Sequence, residues 1–237
     1  MNEKMKGIVT VFVDIDDTLW WFTENSKLAL RHTFDAFDIS SVCTYERFKE
    51  VYLKKNLELW NLYHHGLIDK DFLVNERFRF TLKECGYKGD VEKMCHLLDE
   101  EYLRFLALQS TTIPGARQLL EYLVAKGYDV NTLSNGFQGT QQQKLISGGL
   151  SDLIHRNVLS DDCGITKPQR GIFDYALEQC GGEAATSVMI GDNPDADIKG
   201  AHDAGWRTIY FNIRGLDPIE GTADAVVTSL DEIQQIL

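Results

Sequence analysis

Three carboxylates lie close together near the start of the sequence. Asp14, Asp16 and Asp17 belong to the run VTVFVDIDDTL, whose earlier residues are apolar and mostly β-branched. Carboxylates this close repel one another unless a cation or a proton lies between them. The cluster therefore predicts a catalytic or metal-binding site, although a solvated acidic turn after a strand would give the same short pattern.

Further polar residues follow later apolar segments of the chain. Ser134 and Asn135 come after one segment, Lys167 soon after another, and Asp192 and Asp197 after a third. A carboxylate can act as a nucleophile, and a second carboxylate can move a proton. Other carboxylates suit Mg²⁺, and a hydroxyl and a lysine can bind a phosphoryl group. The set predicts phosphoryl chemistry, and no glycine-rich phosphate loop or GxGxxG motif competes with it.

A parallel sheet would bring these residues together. The apolar run that begins at Val9 is typical of a buried parallel strand. From Pro114 onwards, helical and strand-like segments alternate, which indicates βαβ units. The later strands are predicted at 128–133, 157–160, 187–190, 207–211 and 225–227, and the helices between and after them include 169–179, 195–204 and 230–237. Because parallel strands end at one edge of a sheet, we expect the polar residues to meet there.

A helical segment separates the first strand from the others. Four helices are predicted near residues 26–37, 44–63, 69–85 and 90–109. A block of this size is typical of a small helical bundle. We therefore predict an α/β protein with a Rossmann-like, doubly wound parallel sheet formed by residues 1–19 and 110–237. A four-helix cap domain that governs substrate specificity, residues 20–109, would be inserted after the first strand.

Composition narrows the classes of partner. The chain has 237 residues, of which 43% are hydrophobic and 25% charged, as in an ordinary globular protein. Its net charge of −12 disfavours binding to polymeric nucleic acid or to an anionic membrane, since both are polyanions. The sequence has no apolar stretch of membrane-spanning length and no signal-peptide pattern, and its five cysteines form no CxxC pair. These features predict a cytoplasmic protein with reduced thiols.

Four segments resemble the motifs of the haloacid dehalogenase-like phosphohydrolases. DIDDTL, which begins at Asp14, is similar to the DxDx[TV][LV] motif, and LSNG, which contains Ser134, is similar to the Ser/Thr motif. Lys167 in ITKP is similar to the family's lysine, and GDNPDAD, which begins at Gly191, is similar to GDxxxxD. The helical segment matches the family's helical cap. SNGF, the glutamine-rich helix after it, and KPQRGIFDYALEQ resemble the pyrimidine 5′-nucleotidase subgroup.

The resemblance implies a mechanism with an aspartyl-phosphate intermediate. In that mechanism Asp14 attacks phosphorus, and Asp16 protonates the leaving oxygen and then activates the water that hydrolyses the intermediate. Lys167 neutralises the developing charge. Ser134 binds the phosphoryl oxygens together with the backbone N–H groups of Asn135 and Asp16. The acid at Asp16, which dehalogenase members lack, favours phosphate-ester chemistry.

The resemblance also implies a Mg²⁺ site. The Asp14 carboxylate, the Asp16 backbone carbonyl and the Asp192 carboxylate would hold the ion. Asp197 would orient the lysine or metal-bound water from outside the ligand set. Asn193 is expected to cap a helix and to contribute to the site as well.

Several nearby residues have a structural as well as a functional interpretation. Thr18 suits a turn, and Asp17 and Asp195 are expected to be solvated or helix-N-terminal acids rather than ligands. Trp20 and Trp21 could hold the non-phosphate part of a substrate against the cap, for example by stacking on a base. They could equally pack in a core.

Charged and histidine residues of the cap are expected to be structural. His64 and His65 are adjacent on a helix and point in different directions, so we expect a frayed helix end rather than a metal site. Arg77 and Arg79 could meet substrate, although a solvated helix face is the expectation.

We therefore predict a Mg²⁺-dependent phosphatase whose substrate is a nucleoside monophosphate, with a pyrimidine base. A sugar phosphate or phosphoglycolate is an alternative substrate for the same chemistry. A more remote alternative is a signalling module that is phosphorylated on aspartate without turnover. Such receiver modules carry the phosphorylated aspartate on a later strand and need no cap, which disfavours them here.

Overall fold

The protein, described by a computed structural model over residues 4–237, divides into two compact units. One unit runs up to Phe22 and resumes over Ser110–Leu237, and the other is Thr23–Gln109. The predicted boundary differs at Trp20, Trp21 and Phe22, which belong to the first unit. The reason is backbone pairing, because the Trp21 N–H donates to the Thr111 carbonyl at 3.0 Å and Trp20 forms a bridge with Thr112.

A six-stranded, wholly parallel sheet forms the centre of the first unit. Its strands are β1 (Thr10–Val13), β2 (Asp129–Ser134), β3 (Arg156–Leu159), β4 (Ser187–Gly191), β5 (Arg207–Phe211) and β6 (Ala225–Val227). Their order across the sheet is β3-β2-β1-β4-β5-β6. Strand β1 lies in the middle of the sheet, with β2 and β3 added on one side and β4, β5 and β6 on the other. The predicted doubly wound α/β fold is therefore confirmed.

Helices connect the strands and cover the sheet. In chain order the α-helices are α1 (Phe22–Ala36), α2 (Tyr45–His64), α3 (Lys70–Glu84), α4 (Val91–Ala107), α5 (Ala116–Ala125), α6 (Gln138–Ser147), α7 (Ser160–Cys163), α8 (Arg170–Cys180) and α9 (Gly200–Asp203). A π-helix spans Pro194–Lys199, and 3₁₀ helices span Ile39–Ser41, Ser151–Leu153, Ala184–Thr186 and Leu230–Gln235. Across residues 4–237, each helix is too short or too polar to traverse a lipid bilayer.

Both faces of the sheet are buried. Phe12 of β1 packs in one apolar cluster with Phe173 of α8 and Trp206. Val11 and Val13 point to the opposite face, because side chains alternate along a strand, and they are also buried. Burial on both sides explains why the strands read as continuous apolar runs in the sequence.

Two predicted helices have a different geometry. The segment predicted as one helix over 195–204 begins as the π-helix Pro194–Lys199 and continues as α9. The final segment, Leu230–Gln235, is a 3₁₀ helix that starts with a capping box between Ser229 and Glu232. Apolar periodicity does not distinguish these helix types here, because each segment has only 6 residues and spans too few turns for a difference in residues per turn to show.

Four helices, α1 to α4, form the second unit around an aromatic core. The Phe34 and Phe48 rings are 5.4 Å apart, and the Tyr52 and Phe78 rings are 4.7 Å apart. The side chains of the N-caps accept hydrogen bonds from first-turn amides, which fixes where three of these helices begin. The N-caps are Thr44, Asp69 and Asp90.

Arg77 does not lie on a solvated face, contrary to the expectation. Its guanidinium is buried, and Nε donates to Asp99 Oδ1 at 2.8 Å. Burying the arginine is tolerated because it is paired with a buried acid. Arg79 does lie nearer the surface, where it pairs with Glu92. α2 ends at His64, where the end of a helix was expected.

Candidate active site

The polar residues of the motifs lie at the carboxyl edge of the sheet. Val13, the last residue of β1, is in register with Thr132 of β2 and Ile190 of β4. The Asp14 N–H still donates to the Ile190 carbonyl at 2.9 Å, which holds Asp14 between the ends of the neighbouring strands. Asp14 and Asp192 therefore leave the sheet on the same edge, where the strand order reverses.

Lys167 is a buried cation in the middle of this group, with 2% of its surface exposed. Its ammonium donates to Asp14 Oδ1 at 2.6 Å, to Asp197 Oδ1 at 2.7 Å and to the Leu133 carbonyl at 2.6 Å. The three N–H groups of the ammonium thus have three acceptors. Burial by itself would lower the pKa of Lys167, but the two carboxylates raise it above its ordinary value. The lysine is therefore charged at neutral pH.

Asn135 holds the segment that carries Lys167. The Asn135 Oδ1 accepts from the Lys167 backbone N–H at 2.8 Å, and Asn135 Nδ2 donates to the Lys167 carbonyl at 2.9 Å. The two bonds join the end of β2 to a segment 32 residues further along the chain. The motif resemblance implied a role only for the backbone N–H of Asn135, and the contacts of its side chain with Lys167 were not predicted.

Three buried carboxylates could hold a metal ion. Asp14, Asp192 and Asp197 offer oxygen atoms that all lie within 4.8 Å of one another. Burial raises the pKa of Asp14 to about 7, although Lys167 opposes the rise. Burial also raises the pKa of Asp192, and there Arg214 opposes the rise. An all-oxygen donor set of buried, mutually repelling carboxylates fits a hard divalent cation such as Mg²⁺.

Arg214 was not singled out by sequence analysis. Its Nη2 lies 2.7 Å from Asp192 Oδ2 and 3.3 Å from the Asp192 carbonyl. Arg214 follows β5, so it reaches the same sheet edge from the next strand along. A charged residue soon after a predicted strand was the signal that could have found it.

The π-helix places Asp197 against Lys167. Asn193 caps this helix, because its Oδ1 accepts from the Asp195 and Ala196 N–H groups at 3.0 Å each. The Asn193 N–H in turn donates to Asp197 Oδ2 at 3.0 Å. Gly191 allows the approach, since a Cβ there would lie 2.3 Å from Asp197 Oδ2. A side chain at position 191 would therefore clash with Asp197, which explains the glycine at the start of GDNPDAD.

Asp16 is held by a helix that carries none of the four motifs. Its Oδ1 accepts from Lys144 Nζ at 2.7 Å, and its Oδ2 accepts from Gln141 Nε2 at 3.0 Å. The same Gln141 nitrogen donates to Ser134 Oγ at 2.6 Å. Both partners come from α6, the glutamine-rich helix. Their three-residue spacing places them on one helix face, which was the available signal.

The turn after Asp16 is buried. Trp20 has 0% of its surface exposed, and Lys144 Nζ lies 4.9 Å from the centre of a Trp20 ring. Trp20 is therefore a packing residue of the first unit, while Trp21 is only partly buried. Asp17 is buried with a φ of 59°, and so is not the solvated acid that we expected. Thr18 Oγ1 is buried without a hydrogen-bond partner among residues 4–237.

A family model for haloacid dehalogenase-like hydrolases matches residues 8–205. The chain belongs to this family. Among relatives of this hydrolase, the pyrimidine 5′-nucleotidase YjjG of Escherichia coli is 34% identical over 96% of this chain and 96% of its own. The pyrimidine 5′-nucleotidase PynA of Streptococcus pneumoniae is 30% identical over 86% of this chain and 84% of its own. The family predicted from the four motifs is confirmed.

Solved structures of haloacid dehalogenase-like proteins have the same fold. The structure of the Bacillus subtilis hydrolase YfnB bound to magnesium has a TM-score of 0.87 and 31% identity, and covers 98% of this chain and 99% of that one. A dehalogenase structure has a TM-score of 0.75 at 22% identity, over 98% of each chain. At this level of identity, the similarity to the dehalogenase shows only that the two proteins share a fold.

Proposed function

We propose that this hydrolase is a Mg²⁺-dependent phosphomonoesterase that cleaves nucleoside monophosphates, with a preference for pyrimidine bases. The observation that supports this proposal most strongly is that two carboxylates only two residues apart, Asp14 and Asp16, have different surroundings. Asp14 is buried beside the Lys167 ammonium, whereas the Asp16 side chain is 30% exposed. Such a pair suits a fixed nucleophile and an acid–base group. We propose a pyrimidine nucleoside monophosphate as the substrate because the relatives YjjG and PynA are pyrimidine 5′-nucleotidases.

In the first step, a carboxylate oxygen of Asp14 attacks phosphorus in line with the ester bond. The ester oxygen leaves with a proton from Asp16, and an aspartyl phosphate remains. Lys167, already in contact with Asp14, neutralises the charge that gathers on the phosphoryl group. Ser134 Oγ and the backbone N–H groups of Asn135 and Asp16 bind the phosphoryl oxygens.

In the second step, water attacks the phosphorus of the aspartyl phosphate. Asp16, which is now a carboxylate, takes the proton from that water. The bond between phosphorus and Asp14 breaks, inorganic phosphate leaves, and the Asp14 carboxylate is restored. Asp16 thus acts first as an acid and then as a base, which suits its partial exposure to solvent.

The donor set at the sheet edge fits Mg²⁺. The side chains of Asp14 and Asp192, with the backbone carbonyl of Asp16, would hold the ion. When bound, it would neutralise charge on the phosphoryl oxygens and on the nucleophile. We assign Asp197 to orienting Lys167, because one of its oxygens accepts from the lysine and the other from the Asn193 N–H.

We further propose that the helical unit, residues 23–109, determines which leaving group is accepted. Control of water and of the leaving group is the usual task of a lid over a reactive intermediate. The acidic composition, with a net charge of −12, favours a small phosphate ester over a nucleic-acid polymer or a membrane surface. We expect the enzyme to act in the cytoplasm.

The test is phosphate release with and without Mg²⁺ across pyrimidine and purine monophosphates, sugar phosphates and phosphoglycolate. We expect Mg²⁺-dependent turnover with the highest kcat/KM for a pyrimidine monophosphate. A purine preference would keep the nucleotidase and reject the pyrimidine selectivity. An aspartyl phosphate that accumulates without turnover would reject the hydrolase and favour the signalling alternative.

A phosphorylated sugar is the second candidate substrate. A glyceraldehyde 3-phosphate phosphatase of Pyrococcus furiosus is 28% identical over 98% of this chain and 94% of its own. The same panel decides between the two, because preference for a sugar phosphate would keep the chemistry assigned to Asp14 and Asp16 and reject the nucleotidase.

A further inference from the structure

Two buried polar residues of α6 contact the proposed acid–base residue. Gln141 and Lys144 are almost wholly buried and lie three residues apart, so they project from the same face of the helix. Lys144 bonds one oxygen of the Asp16 carboxylate and Gln141 bonds the other. Both oxygens of a partly exposed side chain are therefore fixed by one rigid element.

The surroundings of Lys144 restrict where its ammonium can lie. Its Nζ is 4.9 Å from the centre of a Trp20 ring and 5.2 Å from the centre of the Phe22 ring. A buried ammonium is unfavourable unless it is paired, and the two aromatic faces and the Asp16 carboxylate supply that compensation. Lys144 is thus directed towards Asp16 by packing as well as by charge.

Gln141 links Asp16 to the proposed phosphate-binding hydroxyl. Its Nε2 donates both to Asp16 Oδ2 and to Ser134 Oγ. When Asp16 is ionised its carboxylate only accepts, so the amide presents its nitrogen to it in this arrangement. Gly136 makes the approach possible, since a Cβ at that position would lie 2.3 Å from Gln141 Cδ.

We propose that Lys144 and Gln141 are positioning residues that hold the Asp16 carboxyl group in line for proton transfer with the leaving oxygen. This inference rests on the proposed phosphatase function and adds to it two residues from outside the four motifs. A general acid must lie within hydrogen-bond reach of the atom it protonates. A loop side chain with free rotation would spend most of its time elsewhere, and the two contacts remove that freedom.

The test compares esters whose leaving groups need a proton to different extents. Uridine monophosphate releases a poorly stabilised alkoxide, whereas p-nitrophenyl phosphate releases a stable anion. Lys144→Met keeps the aliphatic stem and removes the ammonium. We expect kcat/KM for uridine monophosphate to fall about a hundredfold and kcat/KM for p-nitrophenyl phosphate to fall less than about fivefold, since only the first ester depends on the acid.

A matched control and a second variant guard against loss of folding. Lys126→Met removes another lysine that lies over a ring, 5.4 Å from the centre of Tyr122, but that is exposed at the end of α5. It is expected to leave both esters unchanged. Gln141→Met removes the other contact with Asp16 together with the bond to Ser134, so both esters should lose activity, uridine monophosphate by a larger factor than p-nitrophenyl phosphate. If Lys144→Met fails to fold, Gln141→Met still tests the proposal.

A double-mutant cycle asks whether Lys144 acts through Asp16. In an Asp16→Asn background, Lys144→Met should cause no further loss on uridine monophosphate, because the acid is already absent. Additive losses, or an equal loss on both esters, would overturn the positioning role while leaving the phosphatase in place. A wild-type enzyme that hydrolyses neither ester would overturn the proposed function itself, and the inference with it.

Discussion

Buried charge at the sheet edge is compensated side chain by side chain. The Lys167 ammonium bonds two buried acids and a carbonyl, and Arg214 pairs with Asp192. Deleting one partner of a buried ion pair leaves the other charge without compensation, which is strongly unfavourable. At this scale, chemistry and stability depend on the same atoms, so variants must be assayed for both.

Asp14→Asn should abolish turnover and preserve the fold. The amide keeps the size of the side chain and an oxygen that accepts from Lys167, but it is not a nucleophile. We expect phosphate release to fall by at least about a thousandfold, with an unchanged far-UV circular dichroism spectrum. Asp195→Asn, in the same site region but assigned no chemical role, is the control. Near-wild-type activity in Asp14→Asn would remove Asp14 as the nucleophile.

Lys167→Met should destabilise the protein as well as inactivate it. The change leaves Asp14 and Asp197 buried without their shared cation, a loss of about 3–5 kcal/mol in the free energy of unfolding. Urea denaturation measures it. Lys167→Met combined with Asp197→Asn should recover part of the loss, because one uncompensated charge is then removed. An unchanged unfolding midpoint in the single variant would show that Lys167 does not compensate the buried charges of Asp14 and Asp197.

At the scale of elements, helix ends decide where the chain turns. The Thr44 side chain accepts from the Arg47 N–H at the start of α2. Such N-caps satisfy amides that have no partner within the helix. Helix α3 ends at the C-cap residue Cys85, which is partly buried.

Thr44→Ala should lower the free energy of unfolding by about 1 kcal/mol, because the N-cap hydrogen bond is lost. Thr44→Ser keeps a hydroxyl at the same place and should lose much less. Thermal or urea unfolding of the pair measures the difference. Equal stability of the alanine and serine variants would show that the cap does not contribute.

Cys85 should make the protein less stable in alkali. Burial, with the neighbouring Cys43, raises the pKa of Cys85 from 9.0 to about 12. Between these two pH values the folded state keeps a proton that the unfolded state has released, so stability falls as pH rises. The free energy of unfolding should therefore fall more steeply above pH 9 in the wild type than in Cys85→Ser. Parallel curves would contradict the raised pKa.

At the scale of the whole molecule, the two units have different kinds of interior. The first unit is a sheet covered on both faces, with its charged residues collected at one edge. The second is a helical unit with an aromatic core and a buried ion pair between Arg77 and Asp99. All the residues assigned to phosphoryl chemistry belong to the first unit.

Mg²⁺ should therefore stabilise the protein through the first unit. A ligand at one hundred times its dissociation constant adds about 2.7 kcal/mol to the free energy of unfolding, which raises the melting temperature by several degrees. We expect this rise in the wild type, its reversal by EDTA, and little rise in Asp192→Asn. Equal rises in both proteins would place the ion elsewhere. The measurement needs no substrate and so is independent of the activity.

Much of the fold followed from local patterns in the sequence. Every predicted strand is present, and three helices of the second unit begin where they were predicted, because β-branched runs, three- and four-residue apolar spacing and capping residues act over short distances. The exception is α1, which begins at Phe22, four residues before its predicted start. The order of strand and helix then required a parallel sheet with polar residues at one edge. The family also followed from four short motifs.

Only the tertiary structure decides which side chains the site residues contact. Asp14 and Lys167 are 153 residues apart, and Asp16 and Lys144 are 128 apart, so no local pattern joins them. The burial of Trp20, the inward position of Arg77 and the π-helix around Asp197 likewise depend on packing across the unit. The sequence by itself determined which residues reach the sheet edge, since strand ends are local. Which carboxylate each cation faces depends on how distant segments pack, since a salt bridge forms only where the fold brings its atoms within a few ångströms.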